Sequence, residues 1–195
     1  MNWDALLTPL SDENPVGINM EYESVYEEIR QARESDPDYL PQDEWSTALR
    51  KADWPKVVRL CTQILNNSSK DLQIASWLVE GRCQQQGLKG AIQGVNFLSL
   101  FIARYWESGW PLLDEDGDVI RHAILNRLDR QMALHLTCLP LLGQPESSLE
   151  YWKKVLAHEH QTLMGRDPSA DEDGEDYAME TYQRWIDRQQ ADSVR

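Results

Sequence analysis

The chain has 195 residues, enough for one sizeable core or a core plus an appendage, and a formal net charge of −14. That charge repels phosphate backbones and anionic lipid, which excludes nucleic-acid and membrane-surface binding as its main task. Aromatic burial rests on eight tryptophans and seven tyrosines against two phenylalanines, so the core must supply acceptors for buried indole nitrogens.

Residues 1 to 20 carry Pro9, Pro15 and Gly17 and are expected to form an extended arm over the domain. No basic-then-apolar signal opens the chain, since Asp4 follows directly on Trp3, and the expected compartment is the cytoplasm. The spacing of Tyr22, Val25, Tyr26, Ile29 and Ala32 predicts a helix from about Met20 to Ser35, stopped ahead of Asp36-Pro37. Residues 36 to 50 read as a loop with a short helical turn near Trp45.

Asp53 then caps a helix with Pro55 in its first turn and Val57, Leu60, Cys61, Ile64 and Leu65 in helical phase. Asn66-Asn67-Ser68 breaks it, and Ser68 or Ser69 can cap the next. That helix is apolar on two sides, with Leu72, Ala75, Val79 and Cys83 on one and Ile74, Trp77 and Leu78 on the other. So little wetted circumference places it at the centre of a bundle. Gly87 supplies a C-cap. A further helix, about Lys89 to Glu107, is apolar almost all round from Val95 to Trp106 and is expected to be buried. Its longest apolar run, Leu98 to Ala103, is far too short to span a membrane. After Gly109-Trp110-Pro111 and the acidic turn at Asp114 to Asp118, a helix from Val119 to Leu139 carries Leu125, Leu128, Met132, Leu136 and Leu139 in phase.

Gly143-Gln144-Pro145 marks a boundary between residues 1–142 and a helical extension, 143–195. In the extension Ser147 or Ser148 caps a helix with Leu149, Trp152, Leu156 and Leu163 on one stripe. An acidic linker near 166–176 precedes a last amphipathic segment, Tyr177 to Gln190, whose Tyr182, Trp185 and Ile186 are candidates for self-association. No alternating run is long enough for a strand. The expected class is all-α: a compact multi-helix bundle with an N-terminal arm and a C-terminal helical extension.

Candidate chemistry is sparse. Cys61, Cys83 and Cys138 are odd in number and set among apolar residues, as reduced core thiols are. His158 and His160 are two residues apart, so on a helix they point about 200° apart, whereas a zinc pair needs i, i+4 spacing. His160 shares the apolar stripe and His158 faces away. Calcium loops opening at Asp114 or Asp171 would need glutamate at the twelfth position, where Leu125 and Tyr182 stand. No Gly-x-Ser-x-Gly turn appears, and Gly87, Gly90 and Gly94 follow no strand. The expectation is a protein with no metal, no cofactor and no enzymatic activity.

Several strings in order carry a family likeness: Leu6-Leu7-Thr8-Pro9-Leu10-Ser11, Pro15-Val16-Gly17, Tyr26-Glu27-Glu28-Ile29-Arg30, Ala32-Arg33, and Glu44-Trp45. They continue through Ala52-Asp53-Trp54-Pro55, Ser69-Lys70-Asp71-Leu72, Trp77-Leu78, Gly87, Gly90, Gly94, Tyr105-Trp106, Trp110-Pro111, Asp114-Glu115-Asp116-Gly117 and Arg121. Over roughly residues 6 to 140 the chain resembles the N-terminal domain of the ImpA/TssA family of bacterial type VI secretion. Two positions depart from the pattern: Asp43 stands where glycine is usual, and Gly81 replaces alanine at a helical cost of about 1 kcal/mol. The resemblance implies an assembly component that binds sheath, tube, baseplate or membrane-complex subunits, with homo-oligomerisation in the full-length protein.

The motif residues Pro9, Pro15, Gly17, Arg33, Trp54, Ser69, Lys70, Asp71 and Trp77 can be structural or can contact a partner. For Asp71 the structural reading is a first-turn residue, and for Lys70 and Arg33 pairing with nearby carboxylates. An alternative function is a tetratricopeptide-like helical adaptor, since helical units recur about 35 residues apart. Against it, the Trp and Gly positions do not recur from unit to unit.

Overall fold

A computed structural model describes residues 2–35, 51–113, 117–142, 144–164 and 182–193. Among these the chain is all-α, with seven helices, one 3-10 turn and no strand. The helical turn expected near Trp45, the acidic linker near 166–176 and the start of the last helix at Tyr177 lie outside the described residues. The chain divides into two compact units, Met1–Met132 and Ala133–Arg195. The change of unit falls within a helix, 117–138.

In the first unit the arm is not wholly extended. Its start is α1 (Trp3–Leu7), capped by the Asn2 side chain accepting from Ala5 N. So short a helix has no stability of its own; Leu6 and Leu7, both buried, hold it against the domain. After Pro9 the chain runs irregularly to Met20. α2 (Ser24–Ala32) is shorter than its periodicity predicts, because residues 20–23 form a turn in which Glu23 N donates to Met20 O. α3 (Trp54–Asn67) starts where expected, with Asp53 accepting from Lys56 N at 3.0 Å and Pro55 in the first turn.

α4 (Leu72–Tyr105) is two limbs in one element, 72–86 and 88–105, joined at Gly87 with φ 57° and ψ −137°. The limbs run antiparallel: Val79 lies against Gly94, and Leu72 lies beside Tyr105. A direct reversal without a loop needs the positive φ, which glycine alone adopts freely. The first limb is buried on nearly all sides, and α3 packs extensively against α4. Gly81 sits at that contact, where an alanine Cβ would come 2.9 Å from Val58 Cγ2. The helical cost of this glycine is thus offset by a close approach of α3 and α4.

The second limb is not buried all round. Gly90, Ala91, Gly94, Phe97, Leu98, Phe101 and Tyr105 face inward, while Leu88, Ile92, Val95 and Leu100 are exposed. One helix face is all that the first limb and α1 can cover; Trp3 meets Phe97 from the α1 side, 5.0 Å between ring centroids. α5 (Gly117–Cys138) buries Arg121, Ile124, Leu128 and Met132 rather than the row through Leu125 and Leu136. Leu128 and Met132 are as expected; the inward row differs at its start, where Arg121, in the second turn, is buried.

In the second unit a 3-10 turn (Pro145–Ser147) leads into α6 (Leu149–Leu163), which Ser148 caps by accepting from Tyr151 N. Its inward row runs through the half-buried Trp152 and the fully buried Val155; Leu149 and Leu163, expected inside, are exposed. His158 is half-buried and His160 exposed, the reverse of the expected arrangement, because the row lies nearer Val155 than Leu149. Cys138 is exposed rather than a core thiol, its Sγ 3.2 Å from Glu150 Oε2. α7 (Tyr182–Ser193) sets Trp185 against Trp152 and donates its indole N–H to Glu146 O at 2.7 Å.

Trp77 is 5% exposed and packs on Tyr26, 4.6 Å between centroids. Trp77→Ala should destabilise the first unit by about 3–5 kcal/mol through cavity and lost burial. Chemical denaturation should show that loss, and an unchanged midpoint would place the indole outside the core.

Candidate functional site

Ser69-Lys70-Asp71 runs extended between two other stretches of backbone. On one side Lys70 N donates to Val16 O at 2.8 Å and Ile18 N to Ser68 O at 3.1 Å. On the other Leu72 N donates to Trp110 O at 2.8 Å and Trp110 N to Lys70 O at 3.0 Å. The Trp110 indole closes the ring by donating to Gly17 O at 3.2 Å. Gly17 has φ 72°, and a Cβ there would lie 2.0 Å from Ser68 O, so no other residue fits. Ser68 and Ser69 therefore cannot cap the next helix: their backbone is engaged in this clasp. Asp71 caps instead, its Oδ1 accepting from Gln73 N at 2.7 Å and Ile74 N at 3.2 Å.

Lys70 is fully buried and pairs with no carboxylate, contrary to the sequence expectation. Its Nζ donates to Leu6 O at 2.9 Å and Leu65 O at 2.6 Å, and lies 5.8 Å from the Tyr105 ring centroid. Those carbonyls belong to the last turns of α1 and α3, where unpaired oxygens concentrate the negative ends of the helix dipoles. Burial, with Arg104 adding to it, holds the amine down to about 8. Tyr105 completes the seam by donating its hydroxyl to Leu7 O at 2.7 Å.

Arg121 does for the end of α4 what Lys70 does for α1 and α3. It is 1% exposed, donates to Trp106 O, Gly109 O (2.7 Å) and Pro111 O (2.9 Å from Nε), and lies over the Trp106 ring. Arg33 does find a carboxylate. Its Nε is 3.0 Å from Glu80 Oε2, both side chains are nearly buried, and the guanidinium lies over Trp77 at 5.1 Å. Tyr26, which also packs on Trp77, has its hydroxyl pushed up to about 12 by burial and then by the nearby charges of Asp71 and Glu21.

The motif residues thus fall into two clusters. Gly17, Ser69, Lys70 and Asp71 meet at the clasp, and Arg33 and Trp77 meet at Glu80. Pro9 and Pro15 lie exposed on the arm, and Trp54 opens α3 with its ring beside Gly81. Tyr182, Trp185 and Ile186 are half-buried on α7, with Tyr182 stacked on Trp185. Tyr105, Trp110, Arg121 and Glu80 carry equal weight and were not singled out as site residues. The signal for Arg121 was available: it shares one helical face with Ile124, Leu128 and Met132, where an unpaired arginine needs acceptors. The buried cations are spent on carbonyls or a buried carboxylate. Burial pushes the Cys61 thiol far up, which disfavours a thiolate. No group of His, Cys, Asp and Glu suited to a metal occurs among the described residues.

Residues 7–130 match the family model described as ImpA, N-terminal, type VI secretion system. The chain is 29% identical over 113 residues to the type VI secretion system component TssA1 of Pseudomonas aeruginosa, covering 58% of this chain and 32% of that protein. It therefore spans about a third of the length of the curated relative it matches. Its fold resembles the N-terminal domain, including the conserved ImpA_N region, of the TssA component from Burkholderia cenocepacia. That match has a TM-score of 0.72 at 24% identity, over 95% of this chain and 69% of the other.

Asp71 gives a pH signature. Burial, opposed by its two amide hydrogen bonds, pushes its carboxyl from 3.8 up to about 6. A raised carboxyl favours the folded state fully below 3.8, and that contribution is lost as pH rises through about 6. Asp71→Asn keeps the cap and removes the titration. The stability of the parent relative to the Asn variant, read by denaturant unfolding, should fall across that window. Asp71→Ala should cost about 1 kcal/mol through loss of the cap.

Proposed function

The chain belongs to the ImpA N-terminal family of the type VI secretion system, and on that premise we propose that it is a non-catalytic assembly module. It acts in the cytoplasm by binding other subunits of the machine, from the sheath, tube, baseplate or membrane complex, while the tail is assembled. The observation that carries this reading is the use of the polar motif residues inside the fold. Lys70, Arg121 and Asp71 hold helix ends and Arg33 holds the buried Glu80, so these groups are engaged inside the fold. What the domain offers to the outside is a helical surface, and surfaces of that kind recognise proteins. No helix among the described residues is long and apolar enough to cross a membrane, so contact with the membrane complex would run through its protein subunits.

Affinity capture of the tagged chain from its native cell, followed by mass spectrometry, tests the proposal. Sheath, tube, baseplate or membrane-complex subunits should be recovered; recovery of chaperones and unrelated enzymes alone would overturn it.

A further inference from the structure

Ser76, in the first limb of α4, is 2% exposed, and its hydroxyl has no hydrogen-bond partner among the described residues. A serine or threonine inside a helix commonly turns its hydroxyl back to the carbonyl four residues earlier. Thr62 does so to Val58 O at 2.6 Å, and Thr137 to Ala133 O at 2.7 Å. Ser76 makes no such bond to Leu72 O, so its buried hydroxyl faces something other than its own backbone.

Ser76 lines a cavity of about 10 Å³, to which Arg33 contributes from the end of α2, Gln73 and Glu80 from α4, and Gln131 from α5. That is close to the least volume, roughly 10–15 Å³, that holds one water. Glu80 stands four residues beyond Ser76, the spacing at which two side chains on a helix are neighbours. Both Arg33 nitrogens that reach this carboxylate go to Oε2, Nε at 3.0 Å and Nη2 beside it. Oε1 is left as an acceptor on a buried carboxylate. A charged oxygen taken out of water is costly unless its lone pairs are engaged.

We infer that this cavity is a binding site for a single water, held between the Ser76 hydroxyl and Glu80 Oε1. The site goes beyond the assembly reading and does not depend on it. The water accepts from Ser76 Oγ and donates to Oε1, and its second hydrogen serves the amide oxygen of Gln73 or Gln131. Water suits the cavity better than an ion does. The carboxylate repels an anion, and the Arg33 guanidinium repels a metal cation. A dry cavity would leave the hydroxyl orphaned, at the full cost of its desolvation. Because Gln131 lies on α5, the water also ties that helix to the cluster of Arg33, Trp77 and Glu80.

A high-resolution crystal structure of the whole chain tests the site directly. Density for one water within hydrogen-bond reach of both Ser76 Oγ and Glu80 Oε1 is expected. A cavity without density, or a hydroxyl turned to Leu72 O, would overturn the inference. Stability gives a second readout, because the two cases differ in sign. Ser76→Ala removes a bonded hydroxyl if the water is there and an orphaned one if it is not, and only the first loss destabilises. Ser99→Ala, at an exposed position of the same element, supplies the gain in helix propensity alone. Alanine is the best helix former, so both variants should fold. Against that control, Ser76→Ala should lower the melting temperature by about 2–4 °C. A melting temperature equal to or above that of Ser99→Ala would also overturn the inference.

Discussion

Two helices of the first unit end against a single buried ammonium group. The carbonyls of Leu6 and Leu65, in the last turns of α1 and α3, both accept from Lys70 Nζ. An ammonium taken out of water costs several kcal/mol unless something compensates. Here the compensation is two helix C-termini, whose unpaired oxygens would otherwise be stranded in the interior. Each side thus needs the other. The arrangement pins a five-residue helix that could not persist alone, and with it the start of the arm. The arm in turn must pass Gly17 close to Ser68, which sets the extended path of Ser69-Lys70-Asp71 and delays the start of α4 to Leu72.

Arg121 extends the same solution to the end of the α4 hairpin, gathering the carbonyls of Trp106, Gly109 and Pro111. A chain with 19 lysines and arginines against 33 acidic residues has few cations to spare, yet among the described residues three of them lie inside or nearly so. Each of them is matched by buried acceptors: backbone carbonyls for Lys70 and Arg121, the Glu80 carboxylate for Arg33. Asp71, by contrast, has no cation beside it, and burial pushes its carboxyl up. Glu80, the other buried carboxylate among the described residues, has Arg33 beside it.

The elements were largely legible in the sequence, because helical periodicity, Asp53 with Pro55, and the Gly87 break are local signals. What escaped were the consequences of contacts distant along the chain. Ser68 and Ser69 have the right chemistry for a cap, but their backbone is taken by residues 16–18 and Trp110. Lys70 reads as a partner for carboxylates, since a single sequence does not reveal that two helices end beside it. Gly81 reads as a local defect, and only the approach of Val58 gives it a reason. On α5 Leu128 and Met132 are buried as expected, but Arg121 and Ile124 take the inward places at its start, because the rule that places apolar side chains inward says nothing of an arginine that caps a neighbouring helix. In α6 the same rule favoured Leu149 over Val155, although both lie on plausible stripes.

The outer arc of α4 is the opposite kind of error. Its apolar composition predicts burial, and the fold does not bury it. The hairpin accounts for the inward row: Gly94 lets Val79 approach, and Phe97, Phe101 and Tyr105 fill the seam toward α1. Nothing in the hairpin calls for leucine at 88 and 100, isoleucine at 92 or valine at 95. Polar residues there would serve helix and solubility at least as well. Scattered exposed apolar residues are ordinary on any surface. A continuous arc that coincides with the longest carboxylate-free stretch of an acidic chain is not scattered.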